Sequence, residues 1–384
     1  MKRYRKFDII LLLTLAAGTA ACSKTEITPS GSEALAEITY ETAPVTRGDV
    51  QKFDEGNVFA SVAYYLGEGL SWSGRTDSDT PSLYLGTETG GVTTGVTIAH
   101  SGNVWRSAGE KKYYWPKAGK LTFFAWTLNA GNLSFPSGSS AQVSCSPTEG
   151  ITLKDHDILT DGDTDFMVAK VAEDKNANEK QYVATSGVTS GVPTLFRHML
   201  SMLRVTARTQ DDYSAAKRFY IRSITLTNML QKASFQQCKW DAAASTKWSE
   251  VNLWTPADAS NPVLCNVEFY KYAGTEDSKT AAGLPVDTFS ENSPVEVPAS
   301  LSYYNPETFT GDEMLTLVYQ IENLNNNVVE YVTVSKPLKD IAGGELEWGH
   351  RYTLNLIFGL DEILWDPAID EWTPKEENVE INKK

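Results

Sequence analysis

The sequence predicts an all-β protein, and three observations carry that prediction. Short runs rich in Val, Ile, Thr and aromatic residues recur along the whole chain, which is the composition that suits a pleated, half-buried surface. Clusters of Gly, Asn, Ser and Pro separate them, as in "LGTETGGVTTG" and "ENLNNN". Sustained helical periodicity is nearly absent. Many strands joined by long, irregular connections point to antiparallel sandwiches.

The first element is a leader. Lys2, Arg3, Arg5 and Lys6 precede the apolar run Ile9 to Ala17, a secretory signal too short to span a bilayer stably. It ends in "GTAAC", where a cysteine after two small residues suggests a bacterial lipobox and makes Cys22 the lipidated first residue of the mature chain. Thr19 stands where Leu is usual, which leaves cleavage near Ala21 by ordinary signal peptidase as the alternative. Lipidation would tie the protein to a membrane, since each buried methylene adds ~0.8 kcal/mol.

Next comes "EITYETAPVTRGDV", Glu37 to Val50, a strand pattern in which Ile38 and Tyr40 alternate with Thr39 and Glu41 before the chain reaches Arg47. The tripeptide Arg47 to Asp49 matches an integrin motif, but three residues recur by chance. Strands are then expected at "VFASVAYY", "LTFFAWTL", "MLRVTAR", "FYIRSITLTN", "MLTLVYQI", "VVEYVTVS" and "RYTLNLIFGL". "DYSAAKRF" and "PLKDI" each suit one or two helical turns. "TSGVTSGVPT", Thr185 to Thr194, breaks the pattern and suggests a boundary between two β-rich halves; no internal repeat relates them.

Chemistry-bearing constellations are sparse. The net charge of −15 argues against nucleic acid, because nothing here could neutralise a row of phosphates. The four histidines, His100, His156, His198 and His350, show no ligand spacing. "DHDILTDGDTDF" alternates Asp161, Asp163 and Asp165 as a calcium loop does, but Gly162 holds the second position rather than the sixth and Ala172 the twelfth. It reads as an acidic turn entering a strand. Cys145, Cys238 and Cys265 permit one bridge and match no zinc pattern, so buried, mostly free thiols are expected. The ten tryptophans are spread along the chain, which favours core packing over a sugar-binding platform. No catalytic group and no cofactor is indicated.

One stretch is specific. "YYWPKAGKLTFFAW", Tyr113 to Trp126, resembles the signature of the fimbrillin family, the lipoprotein-derived subunits of type V pili. "DFMVAK" from Asp165, "FRHMLSMLRVTA" from Phe196, and "EWGHRYTLNL" with "IDEW" ending at Trp372 resemble further family elements in the same order. The resemblance implies two transthyretin-like antiparallel β-sandwich domains in tandem, a structural role without catalysis, and a structural His198. The expected division is a signal peptide at 1–21, a propeptide with a removable strand at 22–47, and sandwich domains at 48–194 and 195–384.

In that family an arginine-specific surface protease removes the N-terminal strand, and Arg47–Gly48 matches that position. The emptied groove would favour pairing with another chain. The donor is expected from the next subunit, with Val379 and Ile381 of the tail "TPKEENVEINKK" on one face of a strand. The complete cleavage site suits a shaft subunit, whereas the poorly apolar tail suits a minor position. The expected setting is the outer membrane surface and the fimbrium, and the partners are other pilus subunits. A monomeric surface lipoprotein that binds glycans through exposed aromatics is the alternative.

Overall fold

The computed structural model describes residues 36–42, 56–129, 131–177, 191–244, 247–274, 281–303, 313–360 and 363–371. Its first strands are β1 (Tyr40–Thr42), β2 (Val58–Leu66), β3 (Ser82–Leu85), β4 (Thr87–Thr89), β5 (Val92–Thr94), β6 (Val96–Ser101), β7 (Val104–Ser107) and β8 (Lys120–Leu128). There follow β9 (Gln142–Ser146), β10 (Gly150–Asp157), the one-turn helix α1 (Ile158–Asp161), β11 (Phe166–Ala169), β12 (Ala172–Lys175), β13 (Val192–Thr194) and β14 (Phe196–His198). Next are β15 (Ser201–Thr209), β16 (Lys217–Leu230), β17 (Lys232–Trp240), β18 (Trp248–Pro256), β19 (Leu264–Lys271), β20 (Leu284–Val286) and β21 (Val295–Tyr303). The last are β22 (Met314–Asn323), β23 (Val328–Pro337), the short helix α2 (Leu338–Ala342), β24 (His350–Phe358) and β25 (Ile363–Glu371).

The all-β expectation holds, and the seven strand patterns read from the sequence correspond to β2, β8, β15, β16, β22, β23 and β24. "PLKDI" becomes α2, closed by Gly343 in the left-handed region at φ 77°. "DYSAAKRF" makes a single turn, with the Ala216 and Lys217 N–H groups both donating to the Tyr213 carbonyl, before β16 takes over at Lys217.

Four larger sheets organise these strands. A wide sheet has the order β13-β1-β7-β6-β2-β8-β11-β14, with β12 beside β8 and β3 beside β2. A bridging sheet, β18-β17-β10-β9, draws strands from both sides of Thr194. Sheets β21-β15-β24-β25 and β19-β16-β22-β23, the second with β20 beside β16, come wholly from residues after 200. All described pairings are antiparallel except β1 with β13 and β15 with β24. The second departs from the antiparallel expectation because the chain builds most of a sandwich between those two strands, and long crossovers permit parallel neighbours.

The wide sheet packs on the bridging sheet through Phe166, Phe235 and Trp254, with ring centroids 5.4 Å apart for the two phenylalanines. The two later sheets pack together through Phe219, Tyr319 and Phe358. One continuous core runs through both interfaces, from Ala60 to Ile363. The wide sheet also has a second core on its opposite face. Strand β8 shows why: Phe124, Trp126 and Leu128 enter the first core, and Leu121, Phe123 and Ala125 enter the second.

His156 sits fully buried in the first core, its ring edge-on to Trp254 at 5.8 Å. Burial lowers its pKa to about 4, opposed by the nearby Asp161 and Asp157 carboxylates. The unfolded chain binds this proton near pH 6.5 and the folded chain does not until about pH 4. Stability is therefore full above pH 6.5 and falls as the pH drops through that window, by about 3 kcal/mol in all. Urea midpoints at pH 7.5 and pH 4.5 are expected to differ less in His156→Asn than in the wild type; equal pH slopes would remove this assignment.

Candidate functional site

The sequence singled out Glu37 to Val50, and its described part lies inside the wide sheet rather than along its surface. Strand β1 is hydrogen-bonded on both sides, antiparallel to β7 with Tyr40 opposite Trp105, and parallel to β13 with Tyr40 opposite Val192. Just before it, the Ile38 N–H donates to the Tyr113 carbonyl at 2.8 Å and the Trp115 N–H donates to the Ala36 carbonyl at 3.0 Å. On the other flank the Val192 N–H donates to the Thr39 carbonyl at 2.7 Å. Losing the strand would leave three backbone groups, on Tyr113, Trp115 and Val192, without these partners.

The alternation read from the sequence is realised. Ile38 and Tyr40 are 2% and 4% exposed, whereas Thr39 and Glu41 are half-buried. Tyr40 meets Phe59 and Phe123 edge-on, at 5.4 and 5.9 Å between ring centroids. Its hydroxyl donates to Ser61 Oγ at 3.1 Å, and Ser61 in turn donates to the Phe124 carbonyl at 3.1 Å. Burial pushes the Tyr40 pKa well above its ordinary value, so the phenol remains neutral. Burying these two side chains contributes about 4 kcal/mol before ordering costs.

The contact between Tyr40 and Phe123 also defines the shape of the sheet. Strands β7, β6 and β2 separate β1 from β8, a distance of about 19 Å in a flat sheet. The observed 5.9 Å means that the sheet curls until its two flanks face each other across the second core. Strand β1 is part of the closing flank, together with Ile98, Trp105 and Val192.

Two features of the seat escaped the sequence reading. The stretch taken as a break includes β13, with Pro193 at its centre; a proline is tolerated there because β13 is an edge strand whose neighbour is β1. Gly191 stands where a Cβ would come within 2.6 Å of the Tyr40 carbonyl carbon, so the close approach of the two backbones requires glycine. Gly-Val-Pro-Thr, a glycine followed by β-branched residues, was the available signal. Glu37 lies 3.2 Å from Arg106 and 3.8 Å from Lys112, partly exposed pairs that orient the entry to β1 more than they stabilise it.

The other singled-out residues serve the framework. Asp157 caps α1 by accepting from the Leu159 N–H, Asp161 accepts from the Asp157 N–H, and Asp165 pairs with His198 Nδ1 at 2.8 Å. The acidic turn thus leads into β11, and His198 is a buried strand residue with a carboxylate partner. Cys145 and Cys238 are buried and Cys265 half-buried, all as free thiols; burial raises the Cys265 pKa to about 11. Five tryptophans, Trp72, Trp105, Trp126, Trp248 and Trp254, are buried. Trp72 and Trp240 stack against the Arg75 guanidinium at 3.9 and 4.6 Å, a cation–π clamp reinforced by bonds to the Trp72 and Pro147 carbonyls. Cys22, Arg47, Gly48, Val379 and Ile381 lie outside the described residues.

An all-β, multi-sheet protein whose N-terminal strand completes the sheet around its own second core is the class that this geometry defines. The fimbrillin-like family model matches residues 75–372, and the chain belongs to that family. A fimbrial protein from Bacteroides vulgatus ATCC 8482 has a similar structure, with a TM-score of 0.58 at 14% identity over 88% of this chain and 99% of that one. Weaker likenesses include a candidate cell adhesion protein from Parabacteroides distasonis ATCC 8503, at TM-score 0.43 and 12% identity over 89% of this chain and 98% of that one. The fimbrial anchor protein Mfa2 from Porphyromonas gingivalis is matched at TM-score 0.29 and 10% identity over 89% of this chain and 99% of that one. No curated protein matches the chain.

Truncating the central anchor of the seat is expected to be costly. Tyr40→Ala should lower the unfolding free energy by about 3–5 kcal/mol, as for other large aromatic truncations, and Tyr40→Phe by about 1 kcal/mol for the lost hydroxyl bond. Chemical denaturation of the uncut chain measures both, and equal stability of Tyr40→Ala and wild type would contradict a β1 that is part of the folded core.

Proposed function

We propose that this protein is a structural subunit of a cell-surface fimbrium, made as an outer-membrane lipoprotein and polymerised by strand exchange. Cys22 carries the lipid, an arginine-specific protease cuts between Arg47 and Gly48, and residues 22–47 leave with strand β1. The next subunit then fills the vacated seat with its C-terminal strand, in which Val379 and Ile381 point into the groove. Surface adhesion is the role of the assembled fimbrium.

The single observation that carries this reading is the position of β1. It is flanked on both sides by backbone partners, it buries Ile38 and Tyr40 against Phe59 and Phe123, and it precedes Arg47 by only five residues from its last residue, Thr42. A strand so placed can be withdrawn without severing any other described element, and the seat it leaves recognises a replacement by backbone bonding and two apolar contacts. Family membership supports the same role. The division into sandwich domains at 48–194 and 195–384 belongs to this proposal: the wide sheet comes wholly from residues before 199, two sheets come wholly from residues after 200, and the bridging sheet joins the two groups.

The reading excludes catalysis as the protein's task. A glycan-binding monomer is less well supported, because the exposed large aromatics among the described residues, Tyr114, Phe289, Tyr331 and Trp348, fall in four separate stretches of the chain and share no strand.

Two outcomes test the proposal. Arg47→Ala should leave a stable, monomeric precursor whose N-terminal segment persists in mass spectra, whereas wild-type protein from the cell surface should begin at Gly48; polymer formation by the uncleavable variant would sink the mechanism. Deleting Thr373 to Lys384 should leave circular dichroism unchanged and abolish the ladder of detergent-resistant oligomers. Normal ladders from the truncated chain would move the donor elsewhere.

A further inference from the structure

An edge strand presents a row of backbone donors and acceptors that another chain can pair with, and folds commonly carry devices against such pairing. Most long edges here carry one. Pro367 interrupts β25, and Pro298 interrupts β21, whose register against β15 also shifts. Strands β18 and β19 meet their neighbours through irregular registers, which bend an edge away from a partner.

Strand β23 has neither device, and its protection is charge: Glu330 and Lys336 on the face of the inward valines exclude a partner strand that does not present the opposite charges in register. Its ten residues read "VVEYVTVSKP", the proline comes last, and its register against β22 is unbroken from Val328 to Pro337. Among the described residues, β22 is its one strand neighbour.

The sequence of this edge is complementary to itself. Val332 and Val334 pack toward the sandwich core, and strand alternation puts Glu330 and Lys336 on that same face at either end of the pair. A second copy running antiparallel, centred on Thr333, sets each Glu330 opposite Lys336 of the second copy and each Val332 opposite Val334. Every partner then shares a face. Sliding the copy by two residues one way sets Lys336 opposite Val328 and Glu330 opposite Val334, and the other way sets Lys336 opposite Val332 and carries Glu330 past the end of the strand, so the register is specified by charge as well as by pleat. Neither charge forms an ion pair with another described residue; Lys336 lies 5.8 Å from the Trp365 ring.

We propose that β23 is a docking edge for a second copy of this chain, paired antiparallel about Thr333 in a symmetric dimer. This contact lies apart from the β1 seat and needs no cleavage, so it links subunits sideways rather than end to end.

The test uses the full chain carrying Cys22→Ala and Arg47→Ala, so that neither a lipid nor strand exchange can associate it. Sedimentation velocity at rising concentration is expected to show a dimer with a Kd on the order of tens of micromolar, as for a small interface. Glu330→Lys alone and Lys336→Glu alone should each weaken it roughly tenfold or more, because two cross-strand pairs change sign, and combining them should restore it. Circular dichroism verifies that each variant is folded. A chain that stays monomeric up to about 500 µM, far above that range, overturns the proposal, and so does a dimer that both single swaps leave intact. Because Arg47 is blocked throughout, loss of this dimer leaves the strand-exchange reading standing.

Discussion

Strand β8 is apolar on both faces, and a sheet with two buried faces needs two covers. One face of the wide sheet has its cover in the bridging sheet, through Phe166, Phe235 and Trp254. The other has no separate layer among the described elements, and the sheet supplies its own by curling until Tyr40, Ile98, Trp105 and Val192 lie over Phe59, Phe123 and Phe196. A curled sheet of this kind is complete only when its closing flank is in place. The dependence of the second core on β1 follows from that geometry.

The flank is built from weak local parts. Strands β1 and β13 are three residues each, and β13 carries a proline. Neither could persist as an isolated pair; each is held by the core side chains beneath it and by the other's backbone. Gly191 lets the two backbones approach, and Trp105 on β7 fixes the opposite side. Such an arrangement combines local marginality with substantial burial. The strand exchange proposed for this protein would draw on that combination, because a replacement needs only the same pattern of two inward apolar residues.

Elsewhere the protein is held more conventionally. The first core runs unbroken from the wide sheet through the bridging sheet to the later sandwich, so strands β9 and β10 couple residues on both sides of Thr194. Two buried polar groups along that core are well partnered: Gln237 receives the Ile151 N–H and donates to the Ala169 carbonyl, and Arg75 is enclosed by tryptophans and carbonyls. Burial lowers the Arg75 pKa to about 10, still high enough to keep it charged in neutral solution. The acidic surface implied by the net charge of −15 is carried outside this framework.

Sequence alone determined the fold class, the principal strands and the inward positions of the N-terminal strand, because a two-residue side-chain period is a local property that Ile38 and Tyr40 display without any partner. It also determined family membership as an expectation, through short aromatic and glycine motifs such as "YYWPKAG". Only the tertiary structure decided where β1 goes, that its neighbours are β7 and β13, that β13 is parallel to it, and that Gly191 is needed for the approach. Those facts depend on which distant segments meet, and strand pairing is set by the closure of the core rather than by either strand's composition. Pro193 shows the difference: read locally it ends a strand, yet at the edge of a curled sheet it costs no hydrogen bond that a neighbour would have accepted.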